Sequence, residues 1–181
     1  VRFRPIKGVI RHPLDEALYE VMTQTGRSLR VTASHSIFVY EDGEVRRFSN
    51  AELKAQVDRA AGMLRELVIG AGDRVGIYLP FVPETVVAVL AIGRIGAVYT
   101  PIFSGYGAPA IASRLADCSA RMLITADGFL RRGAVIPLKQ VADAALVDAP
   151  TVERLLVVRR LGDRAGDIPW TNGRDAWWDE Q

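Results

Sequence analysis

From residue 48 onward, hydrophobic positions recur at helical spacing in some segments and form short continuous runs in others. The first helical segment begins where Ser49 and Glu52 stand three residues apart, as in a capping box, and its apolar positions continue to Val68. The next helical segment follows Pro83 and is apolar on every side up to Ile92. This second pattern predicts a helix that is covered on nearly all its faces.

Short apolar runs alternate with the helical segments and predict strands. The strands are predicted at residues 73–80, 97–103, 121–125 and 152–158, and two further helices at residues 108–118 and 137–146. Strands that alternate with helices of about 10 to 15 residues imply right-handed crossovers and a mostly parallel sheet. The predicted fold class is therefore α/β, with a partial parallel sheet and crossover helices.

The beginning of the chain has a different pattern, because hydrophobic and polar residues alternate there and β-branched residues are frequent. With turns at Gly26 and at Asp42-Gly43, it predicts short antiparallel strands. We therefore expect a small β-rich segment at residues 1–40 and an α/β domain at residues 41–181. The end of the chain carries all three tryptophans, and such a cluster needs a surface to bury against.

Composition and charge exclude several functional classes. The chain has 181 residues and a net charge of +2, with no dense basic patch, so no nucleic-acid partner is implied. Its longest uncharged apolar stretch, Thr85 to Gly93, is far shorter than the ~20 residues that span a bilayer, which predicts no membrane span. A single cysteine, Cys118, excludes an internal disulfide framework and fits a reducing compartment, so we expect a cytoplasmic protein.

Neither histidine has the neighbours that catalysis or metal binding requires. His12 and His35 lack an acidic partner and a metal-ligand spacing, and Cys118 is distant from both in sequence. We therefore expect no zinc site and no Ser-His-Asp triad in this chain.

A glycine-containing loop follows the second strand of the predicted sheet. Gly105, Gly107 and Ala110 match the G-x-G-x-x-A pattern, and Asp127 lies near the end of the next strand, as in a dinucleotide-binding fingerprint. Pro101 argues against this interpretation, because a proline inside a central strand removes a ladder hydrogen bond. The segment is either a plain turn or the site of a nicotinamide or flavin dinucleotide.

Two adjacent arginines follow the third strand. Ligands of open parallel sheets gather at the carboxyl ends of the strands, where Arg131, Arg132 and Gly133 are expected to lie. A pair of guanidinium groups there can clamp a phosphate, although an ordinary solvated loop has the same spacing.

Several blocks in the chain carry a family resemblance. In order they are "YLPFVPE", "RIGAV", "DCSA", "LITADG", "IPLK" and "GRDAWW". From about Tyr40 to its end, the chain resembles the N-terminal part of the AMP-forming acetyl-CoA synthetases, members of the adenylating acyl-CoA ligase superfamily. The resemblance favours the acetyl and propionyl branch over the long-chain branch.

The resemblance implies a two-step reaction. A carboxylate, acetate or propionate, attacks the α-phosphate of ATP to give an acyl-adenylate and pyrophosphate, and the thiol of CoA then displaces AMP. ATP with Mg and CoA are thus substrates of the full-length family, and no tightly bound cofactor is expected. The family's ATP-phosphate loop, adenine motif, ribose-binding Asp and catalytic Lys lie downstream of these blocks. The resemblance therefore implies no catalytic residue in this chain and no adenylation without the missing C-terminal part.

The resemblance also implies half of a CoA site. Phe103 matches the aromatic residue that lies against the CoA adenine, and Gly105 matches a glycine on the pantetheine path. Ser104 replaces a second glycine of the family. The family's R-x-G-[RK] loop, which supplies cations to the CoA phosphates, corresponds to Arg131, Arg132, Gly133 and Ala134. Arg131 matches the first cation of that loop, and Ala134 replaces the second. Arg132, next to Arg131, is the cation that could compensate.

Residues 1 to about 40 resemble the segment of archaeal-type inteins around their T-x-x-H block, here Thr32 to His35. The intein's splicing nucleophile and terminal His-Asn pair are missing, so no splicing activity is expected. Strands that end in "YEDGEVRRFS" also suit the synthetase's own approach to its first helix.

Three functional hypotheses follow. The first is a truncated acyl-CoA synthetase, a ligase that is inactive alone. The second is a non-catalytic module that binds CoA or a nucleotide. The third is an NAD-dependent oxidoreductase with a Rossmann fold.

Overall fold

The computed structural model describes the backbone of residues 18–22, 28–32, 37–41 and 44–181, and side chains from residue 49 onward. The chain divides into two compact units, Val1–Glu52 and Leu53–Gln181. In the first unit, two antiparallel pairs form, β1 (Leu18–Met22) with β2 (Ser28–Thr32) and β3 (Ile37–Glu41) with β4 (Glu44–Phe48). The antiparallel strands predicted there are confirmed, whereas the predicted turns at Gly26 and Asp42-Gly43 lie outside the described residues.

The second unit is built on a five-stranded parallel sheet with the strand order β11-β10-β7-β5-β6. The predicted α/β fold class is confirmed. From the junction of the two units onward, the elements are α1 (Asn50–Glu66), β5 (Arg74–Tyr78), α2 (Pro83–Arg94), β6 (Val98–Pro101), α3 (Ala108–Asp117), β7 (Met122–Ala126), β8 (Phe129–Arg131), β9 (Ala134–Ile136), α4 (Leu138–Leu146), β10 (Arg154–Val158) and β11 (Asp175–Trp177). Two short 3₁₀ helices lie at Gly162–Ala165 and Trp178–Glu180.

The start of α1 is fixed as the sequence predicts. The Ser49 amide donates to the Glu52 carboxylate at 2.8 Å, and the Glu52 amide donates to the Ser49 hydroxyl at 3.2 Å. These reciprocal bonds are the predicted capping box, and they satisfy two amides that a helix start leaves without partners.

Close packing of α3 on the sheet depends on a glycine in β5. Gly76 is in register with Leu123 of β7, so both lie on one face of the sheet. A Cβ atom at Gly76 would lie 2.6 Å from Cδ2 of Leu115, a fully buried side chain of α3. Any larger residue at this position would therefore push α3 away from the sheet.

The prediction that α2 is covered on nearly all faces is wrong. Val87 and Ala91 are buried, four residues apart on one stripe, but Val86 and Leu90 remain 38% and 44% exposed. The helix packs along β5 and β6 with a single side. Among the described residues, no helix is both long and apolar enough to cross a bilayer.

The tryptophan-rich end packs beside β11, at the opposite edge of the sheet from β6. Trp170 stacks on Trp177 with ring centroids 4.6 Å apart, and the Arg159 guanidinium lies 4.2 Å from the centre of the Trp177 ring. Trp178 is half-buried against the core. The surface that the tryptophan cluster was expected to need is therefore supplied by the chain itself.

A buried charge network joins α4 to β11. Lys139 is fully buried, and its Nζ lies 2.7 Å from the Asp143 carboxylate, 2.9 Å from the Asp175 carboxylate and 2.9 Å from the Pro169 carbonyl. Arg174 completes the network by pairing with both carboxylates. Burial alone would raise the pKa of Asp175, but hydrogen bonds from Arg174, a backbone amide and Lys139 bring that pKa below its usual range.

Candidate functional site

Two loops project from the carboxyl edge of the sheet. Residues 102–107 follow β6, and residues 127–137 follow β7, with β5 lying between the two strands. Because all five strands are parallel, both loops emerge from the same edge, which is where open α/β sheets bind ligands. The structure thus places Phe103 and Gly105 on the same edge as Arg131. A common ligand for them remains a prediction.

The loop after β6 is anchored from below by a tyrosine of β5. Tyr78 is only 1% exposed, and its hydroxyl lies 3.0 Å from the Tyr106 carbonyl and 3.4 Å from the Ser104 carbonyl. Burial raises the pKa of Tyr78, so its hydroxyl keeps the proton that it donates. The hydrogen bonds therefore hold the backbone on both sides of Gly105.

Aromatic contacts hold the side chains of the same loop. Phe103 is 63% exposed and meets the Tyr106 ring edge to face, with centroids 5.6 Å apart. The guanidinium of Arg114 also lies over the Tyr106 ring, 4.4 Å from the ring centre. Arg114 in addition donates a hydrogen bond to the Ala110 carbonyl at 2.9 Å. Phe103 is consequently largely open to solvent while its ring is in contact with Tyr106.

Gly105 makes room for this phenylalanine. A Cβ atom at Gly105 would lie 2.5 Å from Cε1 of Phe103, closer than real Cβ atoms approach other atoms. The observed ring position therefore requires glycine here. The resemblance implied another reason, the passage of pantetheine, and the structure adds this internal one.

A mostly apolar cavity of about 390 Å³ lies beside the loop. Phe103, Ser104 and Tyr106 line it on one side, and Phe81 lies at its surface with a fully exposed ring. Arg114 is the cation in its wall, whereas Arg131 to Ala134 are not among its lining residues. The two predicted halves of the CoA site are thus on one edge of the sheet but do not share this cavity.

The arginine pair lies at the tip of a β-hairpin, where the sequence predicted only a loop. In the antiparallel β8–β9 pair, Arg131 is opposite Ala134, so Arg132 and Gly133 form a two-residue turn. Their φ angles of 52° and 83° are both positive, as a type I′ turn requires. Both guanidinium groups are exposed, and neither has an ion-pair partner among the residues described.

Comparison with known proteins identifies the family of the chain. Residues 26–180 match the family described as AMP-binding enzyme. The chain belongs to the AMP-binding enzyme family. The acetyl-coenzyme A synthetase of Rhodopirellula baltica is 50% identical over 141 residues, which are 76% of this chain and 21% of that protein.

Other relatives are similar in the same way. The acetyl-coenzyme A synthetase of Mycolicibacterium smegmatis is 46% identical over 138 residues, 76% of this chain and 14% of that protein. Among solved structures, an acetoacetyl-CoA synthetase from Streptomyces lividans is similar with a TM-score of 0.67 and 29% identity, over 76% of this chain and 20% of that one. The chain spans about a fifth or less of the length of these relatives.

The dinucleotide fingerprint is not formed in this chain. The carboxylate of Asp127 is buried and accepts hydrogen bonds from the amides of Gly128, Arg160, Leu161 and Gly162 at 2.7 to 3.0 Å. Its acceptor positions are therefore used within the fold and not offered to a ribose. In addition, the glycine loop follows the edge strand β6, where Pro101 is tolerated. Neither the structure nor the family favours the NAD-dependent alternative.

The histidines, the intein-like block and the metal ligands considered in the sequence add nothing to the candidate site formed by the described residues. His12 and His35 lie outside the described residues, as does the centre of the T-x-x-H block. The AMP-binding match begins at residue 26 and includes that block, so the intein-like interpretation has no support in the comparisons. Within the described part of the chain, no group of three or more His, Cys, Asp or Glu residues is arranged to hold a metal ion.

Sequence reasoning missed the supports of the site. Tyr78 lies in the quoted block "YLPFVPE", but its partners are 26 and 28 residues away. A buried tyrosine needs a hydrogen-bond partner, which was the one available signal. The hairpin was missed because its turn is Arg-Gly and lacks the Asn-Gly or Asp-Gly pair typical of type I′ turns.

Proposed function

We propose that this chain is the CoA-binding part of an AMP-forming acyl-CoA synthetase of the acetyl or propionyl branch. The whole enzyme would convert ATP, carboxylate and CoA to acyl-CoA, AMP and pyrophosphate, with Mg accompanying ATP. The observation that carries the proposal is the pair of loops with Phe103 and Arg131 on one edge of the sheet. Relatives named acetyl-coenzyme A synthetases, 46% to 50% identical to the chain, support it.

Each loop contributes a different interaction with CoA. The exposed ring of Phe103 stacks on the adenine, as aromatic side chains do with nucleobases. At the hairpin tip, Arg131 and Arg132 offer guanidinium groups to the phosphates, while Gly133 provides the positive φ of the turn. Ala134 adds no charge, so Arg132 takes the place of the family's second cation.

The chain alone does not activate the carboxylate in this proposal. The resemblance assigns the ATP-phosphate loop, the ribose-binding Asp and the catalytic Lys to sequence that follows the matched blocks. Charge that develops on the transferring adenylyl group would have no preorganised partners without them. A second candidate, a non-catalytic CoA or nucleotide module, is favoured if the longer protein also lacks activity.

Calorimetric titration tests the CoA site directly. Micromolar-to-millimolar binding of CoA to the chain is expected, weakened about fivefold to tenfold by Arg131→Ala. Arg65→Ala is the matched control, because Arg65 is an exposed arginine in the last turn of α1, away from both loops. Equal losses for the two variants, or binding of NAD but not CoA, would contradict the proposal.

Pyrophosphate exchange tests the reaction. With acetate and ATP, the 181-residue chain is expected to show no ATP–pyrophosphate exchange, and the same chain within its longer polypeptide is expected to show it. Exchange by the chain alone would show that the assignment of the missing motifs is wrong. Absence of exchange from the longer polypeptide would favour the non-catalytic module.

We also propose a cytoplasmic location and a division between residues 1–40 and 41–181, on the basis of the single cysteine and of the change in sequence pattern. Cell fractionation tests the location. Limited proteolysis tests the division, with cleavage near residue 40 as the expected result.

A further inference from the structure

We propose that Tyr78 is a positioning residue for the nucleotide end of CoA: its buried hydroxyl fixes the loop that presents Phe103. The inference rests on the proposed CoA site. Tyr78 itself touches no ligand in this proposal, because it lies beneath the loop and is 1% exposed.

The hydroxyl of Tyr78 is placed to hold the loop at its turn. It reaches the carbonyls of Ser104 and Tyr106, the two residues on either side of Gly105. The loop has one further internal backbone bond, from the Tyr106 amide to the Phe103 carbonyl at 2.9 Å. Tyr78 belongs to β5, a strand with a partner on each side, so it ties the loop to an interior part of the sheet.

The position of Tyr106 is transmitted to Phe103 through their rings. Phe103 is largely exposed, so burial does not fix the orientation of its ring. Its ring is nearly perpendicular to the Tyr106 ring and in contact with it, and Arg114 lies over the Tyr106 ring as well. If the carbonyl of Tyr106 loses its anchor, the ring under Phe103 shifts, and the surface on which an adenine stacks shifts with it.

A purely structural role for Tyr78 predicts a different result. In that case, removal of the hydroxyl would lower stability without any dependence on Phe103. A positioning role requires that the two residues act on the same step, so their effects on CoA binding must be coupled. A double-mutant cycle separates the two possibilities.

The cycle compares the chain with Tyr78→Phe, Phe103→Ala and the double variant, with the dissociation constant for CoA as the measurement. Tyr78→Phe is expected to weaken CoA binding about threefold to tenfold, the usual range for one hydrogen bond. In the Phe103→Ala background, the same substitution is expected to have almost no effect. Equal effects in both backgrounds would overturn the inference.

Thr125→Val is the matched control. Thr125 lies opposite Tyr78 on the neighbouring strand β7, and its buried hydroxyl has no hydrogen-bond partner among the described residues. Deletion of this hydroxyl is expected to leave CoA binding unchanged. A loss equal to that of Tyr78→Phe would show that any polar deletion in this part of the sheet disturbs the site, and would also overturn the inference.

Amide hydrogen exchange supplies a readout that needs no ligand. Tyr78→Phe is expected to speed exchange of the Tyr106 amide about tenfold while amides of β7 keep their rates. Unchanged exchange at Tyr106 would overturn the anchoring role even if CoA binds. If the unsubstituted chain does not bind CoA while Tyr106 responds as expected, the proposed CoA site fails, the anchor stands, and the link to CoA is overturned.

Discussion

The two loops at the carboxyl edge of the sheet are built in opposite ways. The loop after β6 is held by the Tyr78 hydroxyl below and by ring contacts to Tyr106 at its side. The hairpin after β7 ends in a two-residue turn with exposed guanidinium groups that have no ion-pair partners in the described chain. A flat aromatic contact depends on orientation, whereas a long cationic side chain can adjust to a phosphate. The difference therefore follows what each loop would recognise.

The largest expected effect comes from the charge network between β11 and α4, the helix that follows the hairpin. Lys139→Met removes one of the two cations that pair with Asp143 and with the buried Asp175, so the free energy of unfolding should fall by about 3 kcal/mol. Urea unfolding measures it. Lys54→Met, which breaks an exposed pair with Asp58, should change stability little. Similar losses in the free energy of unfolding for the two variants would show that the buried network stabilises the fold no more than an exposed ion pair does.

Two glycine substitutions compare the loops directly. Gly105→Ala places a methyl group against the Phe103 ring and should weaken CoA binding about tenfold through displacement of that ring. Gly133→Ala has open space but a φ of 83°, so it should cost about 1 kcal/mol of stability and change CoA affinity little. Titration with CoA and thermal unfolding of both variants check the contrast, which a reversed pattern would contradict.

Salt should change the contribution of the hairpin to CoA affinity and leave the contribution of the loop after β6 unchanged. The loss in CoA affinity from Arg131→Ala should be about tenfold at low ionic strength and should shrink as salt screens exposed charges. The loss from Tyr78→Phe should stay constant, because a buried hydrogen bond is hardly screened. Titrations across a range of sodium chloride concentrations check this. If the losses in CoA affinity of the two variants depend on salt in the same way, the two loops do not make different kinds of interaction with CoA.

The smallest expected effect is on pH dependence. Burial raises the pKa of Tyr78 above 10, so the anchor is fully present below pH 10 and is lost only as pH rises through that higher value. The guanidinium groups do not titrate in this range. CoA binding should therefore strengthen about twofold to threefold from pH 5 to 7 as the ligand's phosphate monoester ionises, with a pKa of about 6. Arg131→Ala should reduce this rise, and Tyr78→Phe should not.

The order and type of the main elements could be predicted from the sequence because each has a clear period. The capping box at Ser49 and the apolar strands of the sheet are local signals, and the structure has both. The exposed side of α2 could not be predicted, because Val86 and Leu90 are as apolar as their buried neighbours. Apolarity alone does not show which faces of a helix find a partner.

The candidate site was predicted only in part. The resemblance identified Phe103 and Arg131, and the parallel sheet brings their loops to one edge. It could not show that Asp127 is engaged by four backbone amides, since those amides come from its neighbour and from residues 160–162. Contacts between residues so far apart in sequence arise from the crossover connections and leave no periodic signal.

The stacked indole rings of Trp170 and Trp177 have a practical consequence. All three tryptophans of the chain lie in its last twelve residues, beside β11, and the sheet separates them from the loop of Phe103. Excitation at wavelengths that only indoles absorb would therefore report on the far edge alone. The protein therefore carries its own fluorescent indicator of folding. An adenine that binds at Phe103 should leave this tryptophan emission unchanged.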